Sequence, residues 1–121
     1  LQPASQALTG SIALPGSKSA SNRLLILHAL AKANTALPRL STAADTTYMQ
    51  VALQQIATQQ GGRIFAGAAG TVMRFLLPVL ALRPGSWELY GSDRAHERPI
   101  GPLVDALRSL GANIDYLEKE G

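Results

Sequence analysis

The sequence predicts an α/β (α+β) fold, and three observations carry that expectation. Four helix-length stretches rich in Leu, Ile, Val and Ala are spaced along the chain, short extended segments fall between them, and Gly or Pro marks almost every junction. The resulting order alternates strand and helix from end to end, beginning and ending on a strand, which implies helices packed on a sheet through crossover connections. With 121 residues, 46% of them hydrophobic, the chain has enough apolar material for one domain or part of a larger one.

The elements follow in order. "GSIAL" (10–14) alternates Ile12 and Leu14 with small residues and is stopped by Pro15-Gly16, as a short strand would be. "ASNRLLILHALAK" (20–32) is apolar almost all round and predicts a helix buried on most sides, with Ser19 as its N-cap. "TALPRL" runs extended past Pro38. "STAADTTYMQVALQQIATQQGG" then places Met49, Leu53, Ile56 and Ala57 on one stripe of a surface helix that ends at Gly61-Gly62. "RIF" (63–65) and "SWELY" (86–90) read as strands flanking "GAAGTVMRFLLPVLAL", a third helix entered through glycine with a kink expected at Pro78. "RPIGPLVDALRSLG" is a fourth helix with Pro99 in its first turn and Gly111 at its stop, and "ANIDYLE" alternates as a last strand. The alternation is still under way at the final residue, which reads as a piece of something longer.

Composition narrows the functional classes. Eleven Lys and Arg against eight Asp and Glu give a net charge of +3, and the basic residues are scattered, so nucleic acid is not the expected partner. The lack of cysteine removes disulfides, thiolate nucleophiles and Cys-type zinc sites, and suits a cytoplasmic location. Two histidines far apart in sequence give no metal site. No run approaches the roughly 20 apolar residues of a membrane span, and the opening residues lack the basic-then-apolar pattern of a signal peptide.

The helix entrances hold the chemistry. The first turn of a helix leaves about four N–H groups unpartnered and carries roughly half a positive charge, so an anion is stabilised there before any side chain acts. Three entrances here add cations. Lys18 and Ser19 precede the first helix and Arg23 lies one turn after Ser19, on the same face. At the third, Gly67 and Gly70 admit close backbone approach, Thr71 offers a hydroxyl and Arg74 follows one turn on. At the fourth, Arg98 stands immediately before Pro99. Guanidinium groups suit bidentate pairing with carboxylate or phosphate, and the Lys18 ammonium is a compact charge or proton donor.

Each feature also has a purely structural reading. Ser and Gly are ordinary caps and turns. Arg74 could pair with an internal carboxylate, Asp45 or Glu97, and Asp45 could cap the second helix as the last member of "TAAD". His28 reads as a hydrogen-bonded core residue, His96 as an exposed loop residue, and Trp87 as packing beneath a strand.

Taken together, "LPGSKSASNR", "AGAAGTVMRFL" and "DRAHERPIGPLVDALRSLGANIDYLEKEG" resemble the 5-enolpyruvylshikimate-3-phosphate synthase family, over residue 10 to the end. The sister family acting on UDP-N-acetylglucosamine shares the fold and is the alternative, and a non-catalytic anion-binding module is a second. The resemblance implies repeated βαβαββ units forming a two-lobed, inside-out barrel, with residues 1–16 as an opening strand of the second lobe and 17–121 as the first part of the N-terminal lobe. It implies carboxyvinyl transfer from phosphoenolpyruvate to the 5-hydroxyl of shikimate 3-phosphate, with release of phosphate, no metal and no organic cofactor. By match to the motifs, Lys18 contacts both substrates and is the catalytic candidate, Ser19 and Arg23 hold shikimate 3-phosphate, and Gly70 and Arg98 hold phosphoenolpyruvate. Asp45, Thr71 and Arg74 support them. Glyphosate is then an expected inhibitor of the whole enzyme, which the resemblance implies is monomeric and cytoplasmic, whereas this chain alone is expected to be inactive and to self-associate.

The sequence departs from that pattern in three places. Ala68 stands where an asparagine is common, Phe75 stands where a proline often follows the Met-Arg pair, and the chain is short between the second helix and "AGAAGT".

Overall fold

The computed structural model describes residues 9–37 and 39–118. Within them the elements are α1 (Lys18–Leu30), α2 (Ala44–Thr58), β1 (Gly62–Phe65), α3 (Gly70–Ala81), β2 (Trp87–Tyr90), α4 (Asp93–His96) and α5 (Gly101–Ser109). β1 and β2 pair in parallel, Gly62 opposite Trp87 through Phe65 opposite Tyr90, and α3 is the crossover between them. This mixed architecture with a small parallel sheet matches the expected α/β class. The sheet follows from "RIF" and "WELY", whose β-branched and aromatic residues suit a pleated surface. Arg63 and Glu88, directly opposite in register, form an ion pair at 2.7 Å that raises the Arg63 pKa, and the Arg63 guanidinium also covers the Tyr90 ring.

Helices α1, α2 and α3 pack on one another, and the sheet closes against α2 and α3. The core is Leu25 from α1, Met49 and Ile56 from α2, Ile64 from β1 and Val72, Leu76 and Val79 from α3. Spacings of three, four and seven residues put each helical set on one stripe. Met49 and Ile56 lie on the predicted stripe of α2, Leu53 is half-buried on it, and Ala57 is exposed. Pro78 sits inside α3 as expected, where it cannot donate to the Arg74 carbonyl one turn back.

Several expectations are corrected. Residues 9–17 carry no regular structure, and Ile12 and Leu14 are 86% and 84% exposed, because no neighbouring strand accepts them. α1 starts two residues early and its N-cap is Ser17, whose hydroxyl accepts from the Ala20 amide, not Ser19. Nor is α1 buried on most sides: Ser21, Asn22 and Leu25 face inward while Leu24, Leu27 and Leu30 are exposed. An all-round apolar sequence cannot say which face lacks a neighbour. α5 begins at Gly101, so Pro102 and not Pro99 occupies its first turn. The four-residue α4 was not anticipated, and it is this turn, not a loop, that holds the exposed His96.

Residues 112–118 form no strand either. The Arg108 guanidinium takes the Ile114 carbonyl at 2.9 Å and stacks on Tyr116, folding the segment back on α5. His28 Nε2 donates to the Thr35 carbonyl at 2.7 Å, so it is hydrogen-bonded as expected but half-buried and outside the core, and Trp87 packs on the core while its ring N–H donates to the Pro84 carbonyl. No helix among the described residues is long and apolar enough to cross a membrane.

The two leucine classes give a direct check. Leu76→Ala, at a fully buried position, is expected to cost about 2–5 kcal/mol in denaturant unfolding, whereas Leu27→Ala, 63% exposed, is expected to cost under about 0.5 kcal/mol. The comparison is made at a dilution where the chain is monomeric, and an equally large loss at Leu27 there would contradict this division of α1 into two faces.

Candidate functional site

The entrance of α1 is built by close approach. A Cβ on Gly16 would lie 1.9 Å from the Arg39 carbonyl oxygen, so only glycine lets this loop lie against the segment leading to α2. From there Ser17 caps the helix, and the next two residues project from its first turn. The Lys18 ammonium pairs with Asp45 at 2.8 Å, and Asp45 lies in the first turn of α2. Beside this pair, the Ser21 hydroxyl accepts from the Ser41 amide at 2.8 Å, so the starts of α1 and α2 are joined twice. Arg23 folds back one turn: its Nη1 donates to the Ser19 carbonyl at 3.0 Å and to the Ser19 hydroxyl, the contact expected from their spacing. Its guanidinium carbon lies 5.5 Å from the centre of the Phe75 ring on α3.

The entrance of α3 is a glycine turn fixed from two sides. Gly67 has φ 72°, and a Cβ there would sit 2.5 Å from the Tyr48 ring of α2. Across the sheet end, the Ser92 amide donates to the Gly67 carbonyl at 3.0 Å, tying this turn to the loop after β2. Gly70 opens the helix, and a Cβ on it would come within 3.1 Å of the Arg98 Cβ and Cγ and of the Arg74 Nη1. Gly70, Arg74 and Arg98 are therefore neighbours. Thr71 is exposed in the same first turn.

Arg74 is occupied differently from either alternative read in the sequence. Its Nε and Nη2 donate to the Pro99 carbonyl at 3.2 and 2.7 Å, which anchors the approach to α5 on α3. Neither Asp45 nor Glu97 is its partner. Asp45 serves Lys18 and does not cap α2, whose N-cap is Ala43 without a side-chain bond. The Arg98 side chain packs on Gly70 and has no ion-pair or hydrogen-bond partner among the described residues.

These contacts bring early residues of each helix together: Lys18 with Asp45, Ser21 with Ser41, Tyr48 with Gly67, Arg23 with Phe75, and Arg74 with Pro99. The starts of α1, α2, α3 and α5 consequently gather at one end of the molecule, the end at which the parallel strands finish. Ligands of open α/β sheets bind outside this carboxyl end. The structure joins Lys18 to Asp45, Ser19 to Arg23, and Gly70 to Arg74 and Arg98; among the described residues no hydrogen bond or ion pair joins Lys18 or Ser19 to Gly70. A cavity of about 900 Å³ includes Arg98 and Met73 but not Lys18, Ser19, Arg23 or Gly70. The α1 entrance thus lies outside that cavity, whereas Arg98 and Ile100 at the approach to α5 help to line it.

Sequence reasoning missed Tyr48, Phe75 as a partner of Arg23, and the Pro99 carbonyl. An exposed aromatic in the second turn of an amphipathic helix was the available signal for Tyr48. Nothing local foretells that a backbone carbonyl will hold Arg74.

The matched family model is EPSP synthase (3-phosphoshikimate 1-carboxyvinyltransferase), over residues 3–61 and 53–121. Among curated proteins, the 3-phosphoshikimate 1-carboxyvinyltransferase of Bordetella pertussis is 43% identical over 138 residues, covering 98% of this chain and 31% of that protein. Those of Paraburkholderia phytofirmans and Cupriavidus taiwanensis are 43% and 46% identical, covering 100% and 93% of this chain and 32% and 30% of theirs. The chain spans about a third of the length of the relatives it matches. The alignments are longer than the chain, so the relatives hold residues that have no counterpart here. In this structure Gln59 to Gly61 lead from α2 straight into β1.

The glycine turn yields a double-substitution check. Gly67→Ala forces a left-handed backbone and a ring clash, and is expected to cost roughly 1–3 kcal/mol in thermal unfolding. In a Tyr48→Ala background the clash is gone, so the added cost of Gly67→Ala should fall. Equal costs in both backgrounds would show that Tyr48 does not press on this turn.

Proposed function

The chain belongs to the EPSP synthase (3-phosphoshikimate 1-carboxyvinyltransferase) family, and from that premise we propose that it forms part of an enzyme moving the carboxyvinyl group of phosphoenolpyruvate to the 5-hydroxyl of shikimate 3-phosphate. The observation that carries the reading is the gathering of helix starts with Lys18, Arg23 and Arg98 at one end of the fold. Both substrates are polyanions. Fixed cations and unpaired amides offset their mutual repulsion and hold them at reacting distance, with no reorganisation when charge shifts to the leaving phosphate.

In this reading Ser19 and Arg23 hold shikimate 3-phosphate, Gly70 and Arg98 hold phosphoenolpyruvate, and Lys18 touches both. The 5-hydroxyl loses its proton as its oxygen bonds to the central carbon of phosphoenolpyruvate, and the methylene carbon of phosphoenolpyruvate takes a proton. The tetrahedral adduct then loses phosphate from that central carbon and a proton from the new methyl group, giving the enol ether. Lys18 is the cation nearest this chemistry, and Asp45 orients it. Arg74 acts through Pro99, setting the position of Arg98 over Gly70. Thr71 offers its hydroxyl at the same entrance.

The finer architecture belongs to the same proposal. Repeated βαβαββ units form the two lobes of an inside-out barrel, residues 1–16 run into the second lobe, and residues 17–121 begin the first. In support, residues 9–17 leave α1 without joining the β1–β2 sheet. The whole enzyme is then a cytoplasmic monomer. This chain on its own is inactive and self-associates through its exposed Leu24, Leu27 and Leu30.

Calorimetric titration separates this reading from a simple anion-binding module. Shikimate 3-phosphate is expected to bind this chain at least tenfold more tightly than shikimate or sulfate, and Arg23→Ala to abolish that preference. Indistinguishable titrations for all three compounds, with and without Arg23, would contradict it.

A further inference from the structure

Arg23 is long, exposed and solvated, and an arginine in that condition samples many rotamers. Here two contacts hold it. Nη1 is engaged by the Ser19 carbonyl and hydroxyl, and the guanidinium lies over the Phe75 ring at 5.5 Å, within the range of cation–π attraction. Among the described residues nothing accepts from its Nε or Nη2. Those two groups form one edge of the fork, the edge that matches two oxygens of a phosphate. Phe75 itself is firmly seated, being half-buried, packed against the core, and next in sequence to Arg74, which is clamped to Pro99.

We propose that Phe75 is a positioning residue for anion binding: its ring face holds the Arg23 guanidinium with the Nε–Nη2 edge free for an incoming phosphate. This deepens the proposed function, because it rests on Arg23 being a phosphate ligand. The ring acts in two ways. It removes rotamer freedom that Arg23 would otherwise lose on binding, and it links the ligand-bearing turn of α1 to α3, so that the two entrances keep a fixed spacing. A ring that served only to fill the core would leave the anion affinity of Arg23 untouched when replaced by leucine.

The test has two independent readouts on the 121-residue chain. In the unliganded protein, the Arg23 side-chain protons should be shifted upfield by the ring current of Phe75; Phe75→Leu should abolish that shift and Phe75→Trp should retain it. Affinity for inorganic phosphate, and separately for shikimate 3-phosphate, should fall roughly two- to fivefold in Phe75→Leu and recover in Phe75→Trp. In an Arg23→Ala background, Phe75→Leu should cause no additional loss. Phe75→Tyr, which keeps the ring and nearly the same shape, guards against misfolding of the leucine variant and should behave as the parent. An unshifted Arg23 in the parent, or a Phe75→Leu variant that binds both anions as the parent does, overturns the proposal. A ring-current shift that is present and lost as expected, with affinities insensitive to Arg23→Ala, instead removes the phosphate-ligand reading of Arg23 and with it the positioning role.

Discussion

The constraint on which this molecule depends is electrostatic and topological together. The parallel strand pair starts α3 and the segment leading to α5 from the same sheet end, and the contacts of α1 and α2 bring their starts to it, so unpaired helix amides accumulate there. Such an end is positively polarised before any side chain is added. This chain adds Lys18, Arg23 and Arg98 to it, which would be self-repulsive without partners or an anion. The fold resolves part of that problem internally. Asp45 takes Lys18, the Ser19 oxygens take one nitrogen of Arg23, and the packed starts of the helices keep the remaining cations in place.

The cations consequently divide by what they touch. Arg74 spends both of its bonds on the Pro99 carbonyl and holds α5 against α3. Arg98 packs its aliphatic stem on Gly70 and keeps its charged end free among the described residues. The absence of a side chain at Gly70 is thus what lets Arg98 lie against the first turn of α3. Tyr48 has the complementary role, occupying the space that a side chain on Gly67 would need. The glycine-rich turn is shaped from outside by neighbours supplied by α2 and by the approach to α5.

Much of this was legible in the residues. Periodicity located α2, α3 and both strands, because their apolar stripes are buried against one another. The spacing of Ser19 and Arg23 foretold their contact, since residues one turn apart share a helix face. What failed did so for want of tertiary neighbours. Residues 10–14 and 112–118 alternate like strands, but a strand needs a partner, and neither has one here. The all-round apolar pattern of α1 gave no hint that Leu24, Leu27 and Leu30 would face outward. The partner of Arg74 was equally hidden, because carboxylates can be sought in a sequence whereas a particular backbone carbonyl cannot.

The central claim is that the entrances of α1, α3 and α5 act as one anion-attracting surface. It is tested most directly by following the backbone amides of residues 19–23, 70–72, 98, 100 and 101 by NMR while shikimate 3-phosphate and phosphoenolpyruvate are added together at equal concentration. All three groups should shift together over the same range of concentration. Shifts confined to one entrance, or three unrelated curves, would contradict the claim.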